Sequence, residues 1–255
     1  MKCKICGGNL NKVFSAIVLK KYSIDYFKCD NCGFIRVEEP YWLEEAYKSP
    51  INVSDTGLVL RNLYLSRKVA VLLYFLFGRN EKYLDYAGGY GLFTRLMRDI
   101  GFDFYHYDPY TENLFAKGFE ANIGKKYSAI TTFETFEHFV NPLEEIEKML
   151  AFSENIVFTT ELLSNELPKP NEWWYYGLEH GQHVSFYSFK TLSYIANKYG
   201  LYFISNERIH LFSKRVISNN YYKYLLKMER IGLFSFIKGK LKSKTQEDSG
   251  FLKLK

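Results

Sequence analysis

Residues 83–93 read YLDYAGGYGLF. An apolar run ends in Asp85. Gly88, Gly89 and Gly91 then crowd into four positions, and a second apolar run begins at Leu92. A strand that enters a glycine turn and leaves as a helix is the opening unit of an open parallel sheet, whose ligands sit beyond the carboxyl ends of its strands. A phosphate-binding P-loop would need a lysine after its last glycine, and a dinucleotide loop would need G-x-G-x-x-G; neither is present. What fits is D-x-G-x-G-x-G with Ala87 replacing the first glycine. Gly89 lets backbone approach a ligand, and the following helix points free amides at a carboxylate. Alanine is tolerable at position 87 unless that position needs a positive φ.

Outward from this loop, strand and helix patterns alternate. KYLDYA, FDFYHYD, YSAITTFE and ENIVFTTE read as strands, and LFTRLMRDIG, NPLEEIEKMLAF and FKTLSYIANKYG as helices. LYFISNERI and HLFSKRVI read as two last strands. A long helix is expected from Asp55 and Thr56, as caps, to about Phe77. Residues 110–125 have no defined pattern. The 161–187 stretch is too long for an ordinary connection, and long loops are functional or disordered. Its Trp173, Trp174 and Tyr175 argue against disorder.

The glycine pattern resembles the first motif of class I S-adenosylmethionine-dependent methyltransferases. Two further elements strengthen the resemblance. Asp108 ends the next strand, where a carboxylate can hold a ribose diol, and Pro109 follows it. TTFETFEHFVNPLEEIEKM is similar to the family's fourth-strand region, through Glu134, Glu137, His138, Asn141, Pro142 and Leu143. The resemblance spans about residues 80–205. It implies a doubly wound, mainly parallel, seven-stranded Rossmann-like sheet. It also implies a cofactor site at Asp85, Ala87, Gly88, Gly89, Asp108, Pro109, Phe133 and Glu134, with Asp85 suited to the cofactor's ammonium.

All four cysteines lie in the first 32 residues as two C-x2-C pairs, Cys3/Cys6 and Cys29/Cys32, each followed by glycine. Four thiolates on two tight turns match tetrahedral zinc, although the gap between pairs slightly exceeds the usual ~15–20 residues. Two disulfides or four idle thiols are the alternatives; a cytosolic chain disfavours disulfides. With four protein ligands the zinc would be structural. It could contribute on the order of 10–16 kcal/mol to folding so small a zinc-ribbon-like module. The residues between the pairs read as a hairpin turning at Lys20–Ser23.

LEHGQHVSFYSFKTL is similar to a stretch in nucleotide-sugar methyltransferases that carry an N-terminal four-cysteine module. His183, Ser185 and Phe186-Tyr187-Ser188 match that family's pattern, whereas Gln182, Gly181 and His180 depart from it. The departures point away from carbon methylation and toward a hydroxyl. The expectation is a shorter relative of enzymes of bacterial capsule or O-antigen biosynthesis. His183 is the candidate general base, since histidine titrates near neutral pH. His180 and Glu179 are the second choices, as base or orienting partner. The alternative is that His183 only packs within the loop. His138 is expected to support the loop, and Tyr47 to reach the pocket. The aromatics at 173–175 could stack on a sugar, cap the cofactor or fill the loop.

The 255 residues carry a net charge of +6, unevenly spread. Residues 214–255 carry +8 and the remainder −2. A groove-lining nucleic-acid footprint would cover the body, so nucleic acid is not the expected partner. No apolar run approaches a membrane span and the first residues lack a secretory signal pattern, so a cytoplasmic protein is expected. The tail from Tyr221 to Leu241 has an apolar stripe between basic residues. It is expected to dock on its own domain; a second subunit, as in a homodimer, or an anionic membrane surface are the alternatives. The last residues, KTQEDSGFLKLK, are expected to fray.

The expected organisation is a zinc-binding module at 1–38, a linker and helical segment at 39–79, a methyltransferase domain at 80–217 and the basic tail at 218–255. The leading reading is methyl transfer from S-adenosylmethionine to a sugar or nucleotide-sugar hydroxyl. Two others stand beside it: an RNA base methyltransferase with a zinc module, and a non-catalytic zinc-ribbon interaction protein.

Overall fold

The computed structural model describes residues 1–48, 55–164, 166–206 and 208–254; part of the expected linker, 49–54, lies outside them. In chain order the elements begin with strands β1 (Leu10–Val18), β2 (Tyr22–Cys29) and β3 (Ile35–Val37). Helices α1 (Leu43–Ala46) and α2 (Leu58–Leu76) follow, then β4 (Lys82–Tyr86), α3 (Leu92–Ile100) and β5 (Asp103–Tyr107). Next come β6 (Ala129–Thr132), α4 (Pro142–Phe152), β7 (Asn155–Thr159) and β8 (Leu162–Leu163). β9 (Ser185–Ser188), α5 (Phe189–Lys198), β10 (Tyr202–Asn206) and β11 (Ile209–Ser213) complete the sheets. The tail forms α6 (Asn219–Met228), α7 (Phe234–Lys240) and α8 (Thr245–Lys253).

The main sheet has the order β10-β11-β7-β6-β4-β5. Its β5, β4, β6 and β7 are parallel, whereas β11 and β10 are antiparallel additions. Every residue of β6 is buried, as a strand covered by helices on both faces must be. One face packs Leu84 and Ile130 against Ile146 and Met149 of α4 and Leu192 and Ile195 of α5. The other packs Tyr83 and Phe104 against Val69 and Leu73 of α2 and Phe93 and Met97 of α3.

Among the described residues this sheet has six strands and not the expected seven, and it is mainly parallel, with four parallel strands and two antiparallel additions. Beyond β5 a single bridge joins His106 to Glu120, closed by His106 N donating to Phe119 O and Ala121 N donating to His106 O. The 110–125 stretch lacks the alternating β-branched pattern that would extend such a bridge into a strand.

A second sheet, β1-β2-β3-β9-β8, joins the start of the sequence to the long 161–187 stretch and the strand it leads into. The cysteine-bearing hairpin supplies β1 and β2, while the long 161–187 stretch supplies β8 and leads into β9. Trp42, almost wholly buried, donates from its indole to Gly181 O, and Leu19 N donates to Leu178 O. The long stretch is thus a lid fixed to the N-terminal hairpin. The cysteines and Phe34 also share a core with the main sheet.

The helix α2 begins at Gly57 without a side-chain cap; Asp55, one of its expected caps, instead pairs with Arg61. The tail docks on the domain through Tyr222, Leu225, Leu226 and Ile237, all buried against the α2 face. Its last turn does not fray as expected. Asp248 is nearly enclosed, and Arg98 donates to it from Nε and a terminal nitrogen at 2.8 and 2.6 Å while Arg95 adds a contact at 2.9 Å. A fork-to-fork pair of this kind fixes α8 against α3 in one register. Among the described residues no helix is long and apolar enough to cross a membrane.

Candidate active site

The glycine turn sits where β4 ends, between β5 and β6. Asp85 is enclosed beneath it, with Thr131 Oγ1 donating to one carboxylate oxygen at 2.7 Å and Thr94 Oγ1 reaching the other at 3.5 Å. Burial pushes its acidity to about 7, opposed by those two hydroxyls and reinforced by the charge of Asp108. Gly88 lies directly on this carboxylate: a Cβ there would stand 2.5 Å from Asp85 Oδ2 and 2.8 Å from His106 Nδ1. Only glycine fits that approach. Ala87 sits at φ 55°, the condition under which its extra methyl is costly, about 1–2 kcal/mol. Glu134, at the end of β6, has φ 52°. Strained residues of this kind collect at ligand sites.

Asp108 ties the two loops together. It accepts from Gly89 N at 2.9 Å through one oxygen and from Tyr110 N and Thr111 N at 2.8 and 2.9 Å through the other. The oxygen that accepts from Gly89 N alone can still accept from a ligand hydroxyl. Pro109 is exposed beside it. Across the crevice Phe133 packs edge-on to Phe93 with ring centres 4.8 Å apart. Glu134 is strapped to the end of β7: its amide donates to Thr159 Oγ1, which donates back to its carboxylate at 2.8 Å.

A second cluster stands over the ends of β6 and β7. The turn at Phe136–His138 presents Glu137 and His138, and the lid brings in His183. One ligand atom from each of the three lies within 4.8 Å of the others. His183 Nδ1–H donates to Tyr175 O at 2.6 Å. His138 Nδ1 faces Gln182 O at 3.1 Å and Tyr47 Oη at 2.8 Å. Burial holds His183 well below its ordinary range and His138 at about 4, so both rings are neutral at pH 7. Glu137 is fully enclosed and raised by burial and by the charge of Glu134; its Oε1 has no hydrogen-bond partner. Tyr175 closes the cluster, its hydroxyl 3.0 Å from Thr160 Oγ1.

His180 packs edge-on to His183 with ring centres 4.7 Å apart and accepts from Gln182 N. Gly177 makes this possible, since a Cβ there would lie 2.5 Å from the His180 ring. Glu179 is exposed and acts on His180 only through its charge.

The four cysteines converge on one point, their sulfurs all within 4.8 Å of one another. Cys3 and Cys32 sulfurs are 3.6 Å apart and Cys6 and Cys29 sulfurs 3.4 Å, near the ~3.8 Å edge of a tetrahedron with zinc–sulfur bonds of ~2.3 Å. The two turns match bond for bond. Gly7 N donates to Cys3 O and Gly33 N to Cys29 O, both at 2.9 Å, while Cys3 N and Cys29 N donate to Gly8 O and Phe34 O, both at 2.8 Å. None of the four is in a disulfide. The cluster fits a tetrahedral thiophilic ion.

Residues 60–206 match the family model described as Methyltransferase domain. The chain belongs to that family. No curated protein matches it. Similar solved structures include CalO1, a methyltransferase in calicheamicin biosynthesis in its SAH-bound form. It is 11% identical with a TM-score of 0.42, covering 62% of this chain and 53% of that one. An O-methyltransferase family protein from Burkholderia thailandensis is 15% identical, TM-score 0.45, covering 67% and 66%. The magnesium protoporphyrin IX methyltransferase of Synechocystis PCC 6803 is 11% identical, TM-score 0.42, covering 67% and 92%. The chain thus spans about half the length of the first of these.

In this methyltransferase domain the turn at Gly88 and Gly89 leaves room for a ligand to approach the backbone. A Cβ at Gly89 would meet nothing within 4 Å, so its backbone faces open space, and α3 opens just beyond with its free amides. Sequence reasoning placed Asp85 toward the ligand ammonium; the carboxylate is instead turned onto Thr131 and Thr94 under the loop. The fourth-strand motif contains Glu137 and the lid aromatics include Tyr175, but no sequence signal placed either beside His183, and Thr160 carried none.

Proposed function

We propose that this methyltransferase domain moves a methyl group from S-adenosylmethionine to a hydroxyl of a sugar or nucleotide-linked sugar, in surface-polysaccharide synthesis. The observation that carries the reading is the state of His183. Its Nδ1–H is committed to Tyr175 O, which fixes the tautomer and leaves Nε2 as a lone pair among Glu137 and His138.

Bound at the glycine loop, the cofactor would supply an activated methyl on a sulfonium. The chain has two tasks: to hold the acceptor in line and to take its proton. The Gly88–Gly89 backbone, Asp108, Phe133 and Glu134 would hold the donor, with the Asp108 oxygen nearest Gly89 N accepting from its ribose. His183 Nε2 would take the proton of the attacking hydroxyl, worth roughly 10²–10⁴-fold. His180 and His138 flank it and fix its plane. Tyr47 steadies His138 through its hydroxyl. Trp174 is 66% exposed at the lid, beside Tyr175 with ring centres 5.3 Å apart, and offers a face for a sugar ring to stack on.

Zinc in the cysteine cluster would be structural. It would lock the hairpin to which the lid is stitched through Trp42, Leu19 and β3, and so hold His183 in place.

The test is incubation with labelled S-adenosylmethionine and a panel of activated sugars, with mass spectrometry locating the added methyl. A sugar carrying one new O-methyl is expected. Label appearing only in RNA, or no cofactor binding by calorimetry, would overturn the reading.

A further inference from the structure

Glu137, His138 and His183 have a composition and second layer of contacts that proton abstraction alone does not require. We infer that they form a binding site for a divalent transition-metal ion, distinct from the cysteine cluster. Two imidazoles and one carboxylate suit zinc, cobalt, nickel or iron(II), and three protein ligands leave coordination positions open.

Three observations carry this. The ligand atoms lie within 4.8 Å of one another without any hydrogen bond among them. Both rings turn Nδ1 outward onto backbone carbonyls, His183 to Tyr175 O and His138 to Gln182 O. That leaves Nε2 of each ring to coordinate, and metal-ligating histidines are held in this way. Finally, Glu137 is fully enclosed with Oε1 unpartnered. A buried polar atom without a partner calls for an explanation, and an ion between the two rings provides one.

An ion here would occupy the His183 lone pair. On the reading of His183 as base, filling the site stops methyl transfer, because the acceptor proton has nowhere to go. The site then acts as an inhibitory metal switch on that chemistry, and this consequence rests on the proposed function.

The test uses full-length protein with its cysteine cluster loaded with zinc, titrated with cobalt(II) and followed by visible absorption. One cobalt per chain is expected, with ligand-field bands and no thiolate charge-transfer band. Glu137→Gln should weaken binding at least tenfold, and the double variant Glu137→Gln/His183→Ala should abolish it. Thermal melting and calorimetric cofactor binding identify any variant that fails to fold. No cobalt beyond the cysteine cluster, or equal binding by folded variants, would overturn the site. Methyl transfer is then followed in the same titration. Inhibition in step with the absorbance supports both inferences. Full binding with an unchanged rate supports the site and removes His183 as the base.

Discussion

Among the described residues, the cysteine cluster and the Glu137–His138–His183 cluster are the two groups whose side chains could hold a metal ion, and they are assembled in opposite ways. The cysteines come from two short, matching turns, each closed by its own backbone hydrogen bonds. The other cluster takes two residues from the turn after β6 and one from the lid, and the lid is held by a hairpin from the start of the chain. The first offers four sulfurs, which would leave a tetrahedral ion no open position. The second is open, with an unpartnered carboxylate oxygen and a free lone pair. A closed site stabilises; an open one reacts. The open site also depends on the closed one, through Trp42 and Gly181.

That dependence is broken most severely by Cys29→Ser. Zinc content should fall from one per chain to near zero, with a loss of stability comparable to a structural zinc site, on the order of 10 kcal/mol. Near-ultraviolet circular dichroism and metal analysis would show it, and a variant that kept its zinc and its melting temperature would sever the link. His183→Ala attacks the open site alone. It should lower kcat by roughly 10²–10⁴-fold with cofactor affinity unchanged by calorimetry; a wild-type rate would return His183 to packing.

Between the two lies the glycine loop, whose pattern is local but whose electrostatics are not. Asp85 titrates near 7 when folded and near about 3.9 when unfolded. The folded state therefore holds its proton more tightly, and stability falls as pH rises through that window. Urea unfolding of wild type should lose about 2–3 kcal/mol between pH 5 and 7 relative to Asp85→Asn. Parallel curves would mean that Asp85 is ionised throughout. The smallest effect is expected from Ala87→Gly, which relieves a positive φ at about 1–2 kcal/mol but adds chain entropy of about 0.4–1 kcal/mol. A net gain of up to about 1.6 kcal/mol in urea unfolding is expected, and a loss would mean that the Ala87 methyl packs productively.

What could be read before the structure follows the same division. Strands β4 to β7 and helices α3, α4 and α5 announced themselves through short apolar runs and helical spacing, which are local. No seventh strand forms in 110–125, a stretch without a local pattern that contributes only the bridge at Glu120. The tail's final helix looked like a frayed end because its anchor, Asp248, is explained only by Arg98 and Arg95 at the other end of the domain. Its local composition is polar, and only a buried partner makes it hold.

The candidate site divides likewise. The cysteines, the glycine turn and Asp108 stand in sequence order beside the elements that position them. Glu137 and Tyr175 do not; they become neighbours of His183 when the strand after the lid pairs with β3. The sequence by itself determined the two cysteine turns, the alternation of strands and helices, and the glycine loop, because each is decided by contacts among residues a few positions apart. The tertiary structure alone decided that Ala87 is held at positive φ, that Asp85 is enclosed and that His183 joins the adjacent pair Glu137 and His138 from 45 positions further along. Burial and chain-distant packing set those features, and neither is written in any local stretch.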